Sequence, residues 1–394
     1  MATRKKRPAS RVKEPTAPLT ESQLKRKVKP RRALKSSKRI TVSHRIAFAQ
    51  TGRETVFYEQ VPSKMARPFG RKTARGEKLG KGAAIDIEVS TAQLGTHVFP
   101  AGFSGRKIPT PKLTKSRIEQ AHMGLPALDG FAPDHLPIQP IPEKLPKELA
   151  VPRFMSGTPL VKGKDQATTV FPPENRYTFA DTSFPWCTIG RVDTGGGWAS
   201  GVLIGPRHLL TVSHAMVWGS GNTCGWVRFR PSYFDGSAPF GEAWATRWYA
   251  YRKVYGPSLS RAEMREDYVV LVLDRRIGDT CGWIGSRTYS DSWDGGRYWR
   301  HIGYPGDMAG GQRPSYERDI ALDGSFWDAQ SHQRIWHQGD VWPGQSGGPF
   351  FAWWSGESWP RVVSVQSAEN SDENTSSGGS HMVDLIIRAR NEYP

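Results

Sequence analysis

The stretch ASGVLIGPRHLLTVSHAMVW, Ala199–Trp218, decides the architecture. Two apolar runs, GVLI and HLLTV, flank the turn signal GPR. Both are of strand length, and the proline between them rules out one continuous helix. The pair reads as two β-strands joined by a turn, the second running out at His214. The same texture continues on both sides. CTIGRV (Cys187–Val192), WVRFR (Trp226–Arg230), YVVLVLD (Tyr268–Asp274), RHIGY (Arg300–Tyr304), PFFAWW (Pro349–Trp354) and RVVSVQS (Arg361–Ser367) are short runs rich in β-branched and aromatic residues. Clusters of Gly, Asp and Ser separate them. The turn SGES makes a hairpin of the last two runs. A long helical period appears only at the end, where HMVDLIIRARN (His381–Asn391) predicts a helix. Residues 178–394 therefore read as an all-β barrel or sandwich region, long enough for two small barrels of about 178–280 and 281–394.

The chain before this region is of a different kind. The net charge of +18 is concentrated at one end: Met1–Arg45 holds 16 Lys/Arg against Glu14 and Glu21, so this segment carries +14. Residues 1–60 read as a basic disordered tail. A plain solvated tail and a polyanion contact (nucleic acid, an acidic membrane surface, or import machinery) both fit residues 1–45. Residues 61–177 read as an extended arm or pro-region, with seven prolines between Pro126 and Pro152 and one short helix expected around Thr114–Leu125. No internal repeat stands out. No apolar run approaches 18 residues, so no membrane span is expected, and the charged start MATRKKRPAS is not followed by the apolar core of a secretory signal. The localisation is left open. Cys187, Cys224 and Cys281 follow no metal spacing and are too few for a disulfide framework, although one bridge and one free thiol fit. There is no H-E-x-x-H or C-x-x-C, so neither a metal nor a cofactor is expected.

Three stretches carry chemistry. His214 ends a β-run just before small residues. Taken alone, it reads as a satisfied half-buried histidine. Asp267 stands at the start of the apolar strand YVVLVL, where a lone carboxylate is costly unless bonded or paired. Asp274, at the far end of that strand, precedes two arginines and reads as a surface ion-pair partner. In GDVWPGQSGGPFF (Gly339–Phe351), Ser346 sits between Gln345 and two glycines, exposed to attack a carbonyl. The N–H groups of Gly344 and Ser346 are placed to hold an oxyanion. A serine hydroxyl is a poor nucleophile without a base, and the base needs a third group to fix its tautomer. His214, Asp267 and Ser346 fill those three roles in the order His, Asp, Ser.

At this point the sequence resembles the chymotrypsin-like serine proteases across residues 178–394. TVSHA is similar to that family's T-A-A-H-C histidine box, EDYVVLVL to its D-I-A-L-L-x-L aspartate box, and GQSGGP to G-D-S-G-G-P. The resemblance implies two six-stranded antiparallel β-barrels, with His214 and Asp267 from the first and Ser346 from the second. It implies a serine endopeptidase acting on protein or peptide substrates. The α/β-hydrolase elbow G-x-S-x-G also fits GQSGG, but Pro349 follows and only 48 residues remain after Ser346, too few for the rest of that sheet.

The family pattern breaks in two places. Gln345 stands where the family has an aspartate that binds a freed N-terminal ammonium. Ala215 stands where the histidine box has its cysteine. These departures, with GYPGD (Gly303–Asp307) and FPWCTIGRV, bring the sequence closer to the glutamyl-endopeptidase branch. For the substrate pocket, Asp340 lies six residues before Ser346, the spacing at which trypsin-like members select Arg or Lys. Ser364 and Gln366 on the following strand are further pocket candidates, Gln366 near the place where the glutamyl branch uses a histidine. Residues 61–175 could be an inhibitory pro-region removed near Arg176 or Thr178. A catalytically silent protease-fold binding protein is the second reading, disfavoured because all three triad positions and Gly344 are present. Nucleic-acid binding through the tail is the third, and is compatible with the first.

Overall fold

The computed structural model describes residues 16–32, 93–98, 127–145, 170–324, 331–369 and 374–394. Six strands close the first barrel: β1 (Ile189–Thr194), β2 (Gly197–Gly205), β3 (His208–Thr211), β4 (Val227–Pro231), β5 (Ala243–Ala250) and β6 (Val269–Leu273). Six more close the second: β7 (Arg297–Gly303), β8 (Ser315–Asp323), β9 (Gln333–His337), β10 (Pro349–Ala352), β11 (Arg361–Glu369) and β12 (Asn374–Gly378). The first pairs in the order β6-β3-β2-β1-β4-β5, with β5 closing on β6. The second pairs in the order β10-β7-β8-β9-β12-β11, with β11 closing on β10. Strand for strand these are the same antiparallel scheme. The expected two six-stranded barrels are present.

Residue type explains which strands face water. β4, VRFRP, alternates buried and half-buried positions and shows one face to solvent. β6, VVLVL, is buried throughout, because the barrel interior takes one face and the C-terminal helix lies over the other. Short strands from the preceding chain extend both sheets. Gln93–His97 pairs with β5, Ala127–Leu128 with Gly285–Arg287, and Tyr177–Thr178 with β8.

Residues 1–60 were expected to be disordered, and within them the segment 16–32 is folded. Helix α1 (Glu21–Lys27) starts in a capping box, in which the Thr20 hydroxyl accepts from the Gln23 N–H and the Gln23 amide accepts from the Thr20 N–H. Leu19 and Leu24 are buried, and the Leu19 N–H donates to Trp353 O at 2.7 Å. Glu21 bonds Arg300 of β7 at 3.0 Å and Arg318 of β8 at 2.7 Å. Apolar contact and a charge pair outweigh the local basicity. The helix expected around Thr114–Leu125 lies outside the described residues, as do the remaining parts of 1–60.

A second helix, α2 (Arg261–Glu266), leads into β6, and the chain ends in α3 (Ser380–Glu392), as expected. α3 follows the second barrel yet packs on β3, β5 and β6 of the first. There the buried His208 donates its Nε2–H to Ala389 O at 3.1 Å, and Tyr249 donates its hydroxyl to Glu392. Cys187, Cys224 and Cys281 are buried and free, and the Cys187 thiol donates to Cys281 O at 2.9 Å. Among the described residues no helix is long and apolar enough to cross a membrane.

Candidate active site

His214 and Asp267 are brought together by strand register. Thr211 at the end of β3 pairs with Val269 at the start of β6, so the residues just beyond β3 lie opposite those just before β6. Asp267 caps the C-terminus of α2 and is fully buried. Its Oδ1 accepts the His214 N–H at 2.8 Å, and its Oδ2 accepts the His214 Nδ1–H at 2.6 Å. The Ser367 hydroxyl donates to the same Oδ2 at 2.6 Å. A carboxylate that only accepts fixes the proton on Nδ1 and leaves the Nε2 lone pair free. Burial opposes charging of the His214 ring, but the Asp267 charge and hydrogen bond, with help from Glu369, outweigh it and raise the imidazole above its ordinary value.

Ser346 lies in the turn before β10, and this turn is locked to both barrels. The Gln345 N–H donates to Trp342 O, the Gly348 N–H to Gln345 O, and the Gly347 N–H to Gln366 O. From the first barrel, the Ser200 N–H donates to Ser346 O and the Ser200 hydroxyl to Gly344 O, each at 2.8 Å. Two glycines are demanded here. Gly344 has φ +103°, and a Cβ would lie 2.4 Å from Tyr304 O. Gly347 has φ +82°, and a Cβ would lie 2.2 Å from Ser200 O and 3.1 Å from the Val212 N. Val212 is two residues before His214, so the turn abuts the strand end that carries the histidine. On the other side, Gln366 and Ser367 are consecutive on β11. Gln366 accepts from the turn and Ser367 donates to Asp267. Among the described residues no protein group accepts the N–H of Gly344 or of Ser346.

The three pocket candidates have other partners. Asp340 is buried, and its two oxygens accept the N–H groups of Phe171 at 2.7 Å and Asn175 at 2.9 Å. Burial pushes this carboxyl up, partly offset by those two amides. Asp340 thus anchors the segment before the first barrel and presents no free carboxylate to a basic side chain. Ser364 is buried inside the second barrel with its Oγ 2.8 Å from that of Ser376. The Gln366 Oε1 accepts the Nε2–H of His337 at 2.9 Å, while its own Nε2–H donates to Ala368 O. Burial drives the His337 ring down to about 3, so it stays neutral, as its hydrogen bonds require.

Two residues here were not singled out from the sequence for the site. Glu369, two residues beyond Ser367, is near enough to His214 to act on its charge. Burial raises its carboxyl to about 7, against the opposing pull of His214 and Arg176. Arg176 is fully buried and donates from Nη1 to Gln345 Oε1 at 2.8 Å. Neither carries a local motif. Each matters because of partners more than 100 residues away.

Two barrels of one pairing scheme, with a histidine–aspartate pair on one and a glycine-flanked serine turn on the other, define the chymotrypsin-like serine protease fold. The sequence similarity lies on the glutamyl-endopeptidase side of that class. The chain is 28% identical over 172 residues to the glutamyl endopeptidase of Bacillus licheniformis, an alignment covering 43% of this chain and 50% of that protein. It thus spans about half the length of the curated relative it matches. Among solved structures, a Glu endopeptidase is 23% identical with a TM-score of 0.46, covering 56% of this chain and 99% of that one. The protease Anisep from Arthrobacter nicotinovorans is 21% identical with a TM-score of 0.40, covering 54% and 99%. No family model matches the chain.

Proposed function

We propose that the protein is a serine endopeptidase that hydrolyses peptide bonds through an acyl-enzyme. Ser346 Oγ attacks the substrate carbonyl carbon, and its proton passes to His214 Nε2. The carbonyl oxygen becomes an oxyanion and takes hydrogen bonds from the N–H groups of Gly344 and Ser346, each worth roughly 3 kcal/mol at the transition state. Collapse breaks the C–N bond, the leaving amine takes the proton from Nε2, and an ester remains on Ser346. Water then attacks that ester by the same route and restores the serine. Asp267 fixes the ring and stabilises the imidazolium without taking its proton. The similarity to a glutamyl endopeptidase supports this reaction class.

The observation that carries the reading is the buried Asp267 carboxylate, bonded to His214 through both the backbone N–H and Nδ1–H and held from the second barrel by Ser367. A histidine buried only for packing has no need of an oriented carboxylate shared between two barrels. The test is labelling of the full-length protein with a fluorophosphonate, followed by peptide mapping. The adduct is expected on Ser346, lost in Ser346→Ala and strongly slowed in His214→Ala. A folded protein that takes no label, or takes it equally in His214→Ala, would remove the reading.

A further inference from the structure

A turn that must offer two N–H groups outward, from Gly344 and Ser346, has to hold the side chain between them inward. Gln345 does so. Its Oε1 accepts from the Trp342 N–H at 2.9 Å and from Arg176 Nη1–H at 2.8 Å, and its Nε2–H donates to His301 Nδ1 at 3.2 Å. Burial, with the nearby His337 and the Arg176 charge, keeps the His301 ring neutral, so its Nδ1 lone pair is free to accept. Three of the four hydrogen-bonding positions on the amide are used, and one of them goes to a cation.

That cation is held in turn. Arg176 donates from Nε and Nη2 to Glu174, at 3.0 and 2.7 Å. It donates from Nη1 and Nη2 to Asp307, at 3.3 and 2.6 Å. With the bond to Gln345, all five guanidinium N–H groups are satisfied. Asp307 ends the turn Gly303–Asp307, whose Gly306 N–H donates to Pro343 O at 2.9 Å. The same short segment grips the nucleophile loop again at Asp340, through the N–H groups of Phe171 and Asn175. The chain just before the first barrel is thus tied to positions one and six residues before Ser346.

We infer that Arg176 is a positioning residue that holds the Gly344–Ser346 turn in its oxyanion-binding shape in the uncleaved chain, so the site assembles without release of a new N-terminus. This rests on reading Ser346 as the nucleophile. In the resembled family the turn carries an aspartate and cleavage supplies the positive charge. Here the turn carries a neutral acceptor, and the charge is an internal guanidinium that is always present. Without it, Glu174 and Asp307 would face each other uncompensated, and Gln345 would lose the charged donor to its buried amide oxygen.

The test uses full-length protein, its intact mass verified, as wild type, Arg176→Gln and Arg176→Lys. The uncleaved wild type is expected to take the fluorophosphonate on Ser346. Arg176→Gln is expected to lose about 10²–10³ in kcat, the scale of a lost oxyanion donor, with KM held. Affinity for a peptide aldehyde, which forms a tetrahedral oxyanion on the serine, should fall by the same factor. Affinity for the matching peptide alcohol should not. Should Arg176→Gln fail to fold, Arg176→Lys, which keeps the charge and loses the fork, is read the same way. A folded variant with wild-type kcat and aldehyde affinity overturns the inference. So does a wild type that labels only after cleavage upstream of Arg176. A wild type that labels neither intact nor cleaved fails for a different reason: Ser346 is then not a nucleophile, and both readings fall.

Discussion

In the proposed mechanism His214 acts as a base only while its ring is neutral, and Glu369 bears on that condition. The ring is raised above its ordinary 6.5, mainly through Asp267 and further through Glu369. Below the raised value the imidazole holds a proton and cannot take one from Ser346, so kcat/KM should fall on the acid side with a midpoint above 6.5. Glu369→Gln removes a negative charge beside the ring and so disfavours the imidazolium. The acid midpoint should therefore move to lower pH. A pH–rate profile on a peptide substrate measures this, and a midpoint that stays or rises would contradict the assigned proximity. Burial brings Glu369 itself to about 7, and the charges of Glu369 and His214 act on one another, so the acid limb reports the pair and not the imidazole alone. Of the proposed triad, the His214–Asp267 contact and the glycine turn at Ser346 could be anticipated, because each residue sits at a strand end or in a turn with a residue type that needs explaining. Glu369 could not, since a glutamate before the polar run NSDEN looks like any loop residue. Asp340 was misleading. Its spacing to Ser346 fits a pocket carboxylate, but spacing says nothing of the two amides that occupy it.

Among the elements, α1 shows how a charge average can hide a fold. The signals were local and present: Thr20 and Gln23 form the capping box, and Leu19 and Leu24 flank it at the spacing of a hydrophobic staple. The density of Lys and Arg outweighed them in the reading, and the partner that makes Glu21 worth burying, Arg300, lies 279 residues away. That partner gives the prediction. Arg300 is buried, and Glu21→Gln removes the charge that compensates it. The variant should lose roughly 3 kcal/mol of stability, visible as a lowered denaturant midpoint with an unchanged m-value. A loss within a few tenths of a kcal/mol would mean that water reaches Arg300 in the folded state.

At the level of the whole molecule, the two barrels repeat one another in pairing but not in sequence. Pairing order depends on where strands and turns fall, and the side chains that fill each interior are free to differ, so no repeat is readable. The alternation of short strands and turn residues did carry the fold class. What it did not carry is how far the chain before residue 178 is built into the barrels. Protein beginning at Thr178 would lack α1, the strand Gln93–His97 and the anchors Phe171, Asn175 and Arg176. It should melt well below the full chain, by roughly 10 °C for the Arg300 pair alone. Matched thermal melts of the two proteins decide this, and equal midpoints would show that the preceding segments are accessory.

The ends of the chain cross over: the N-terminal segment is laid on the second barrel, while the C-terminal helix covers β3, β5 and β6 of the first. This has a consequence for synthesis. The first barrel has all its own strands once residue 273 has been made, but the face carrying His208 stays bare until residues 380–392 emerge. The turn bearing Ser346 arrives late as well. A nascent chain shorter than 346 residues therefore lacks the serine turn, and one shorter than 380 residues leaves the His208 face uncovered. Under the proposed function, the histidine and aspartate are therefore made well before the serine turn they would act with, and a chain holding only the first barrel has no nucleophile to activate.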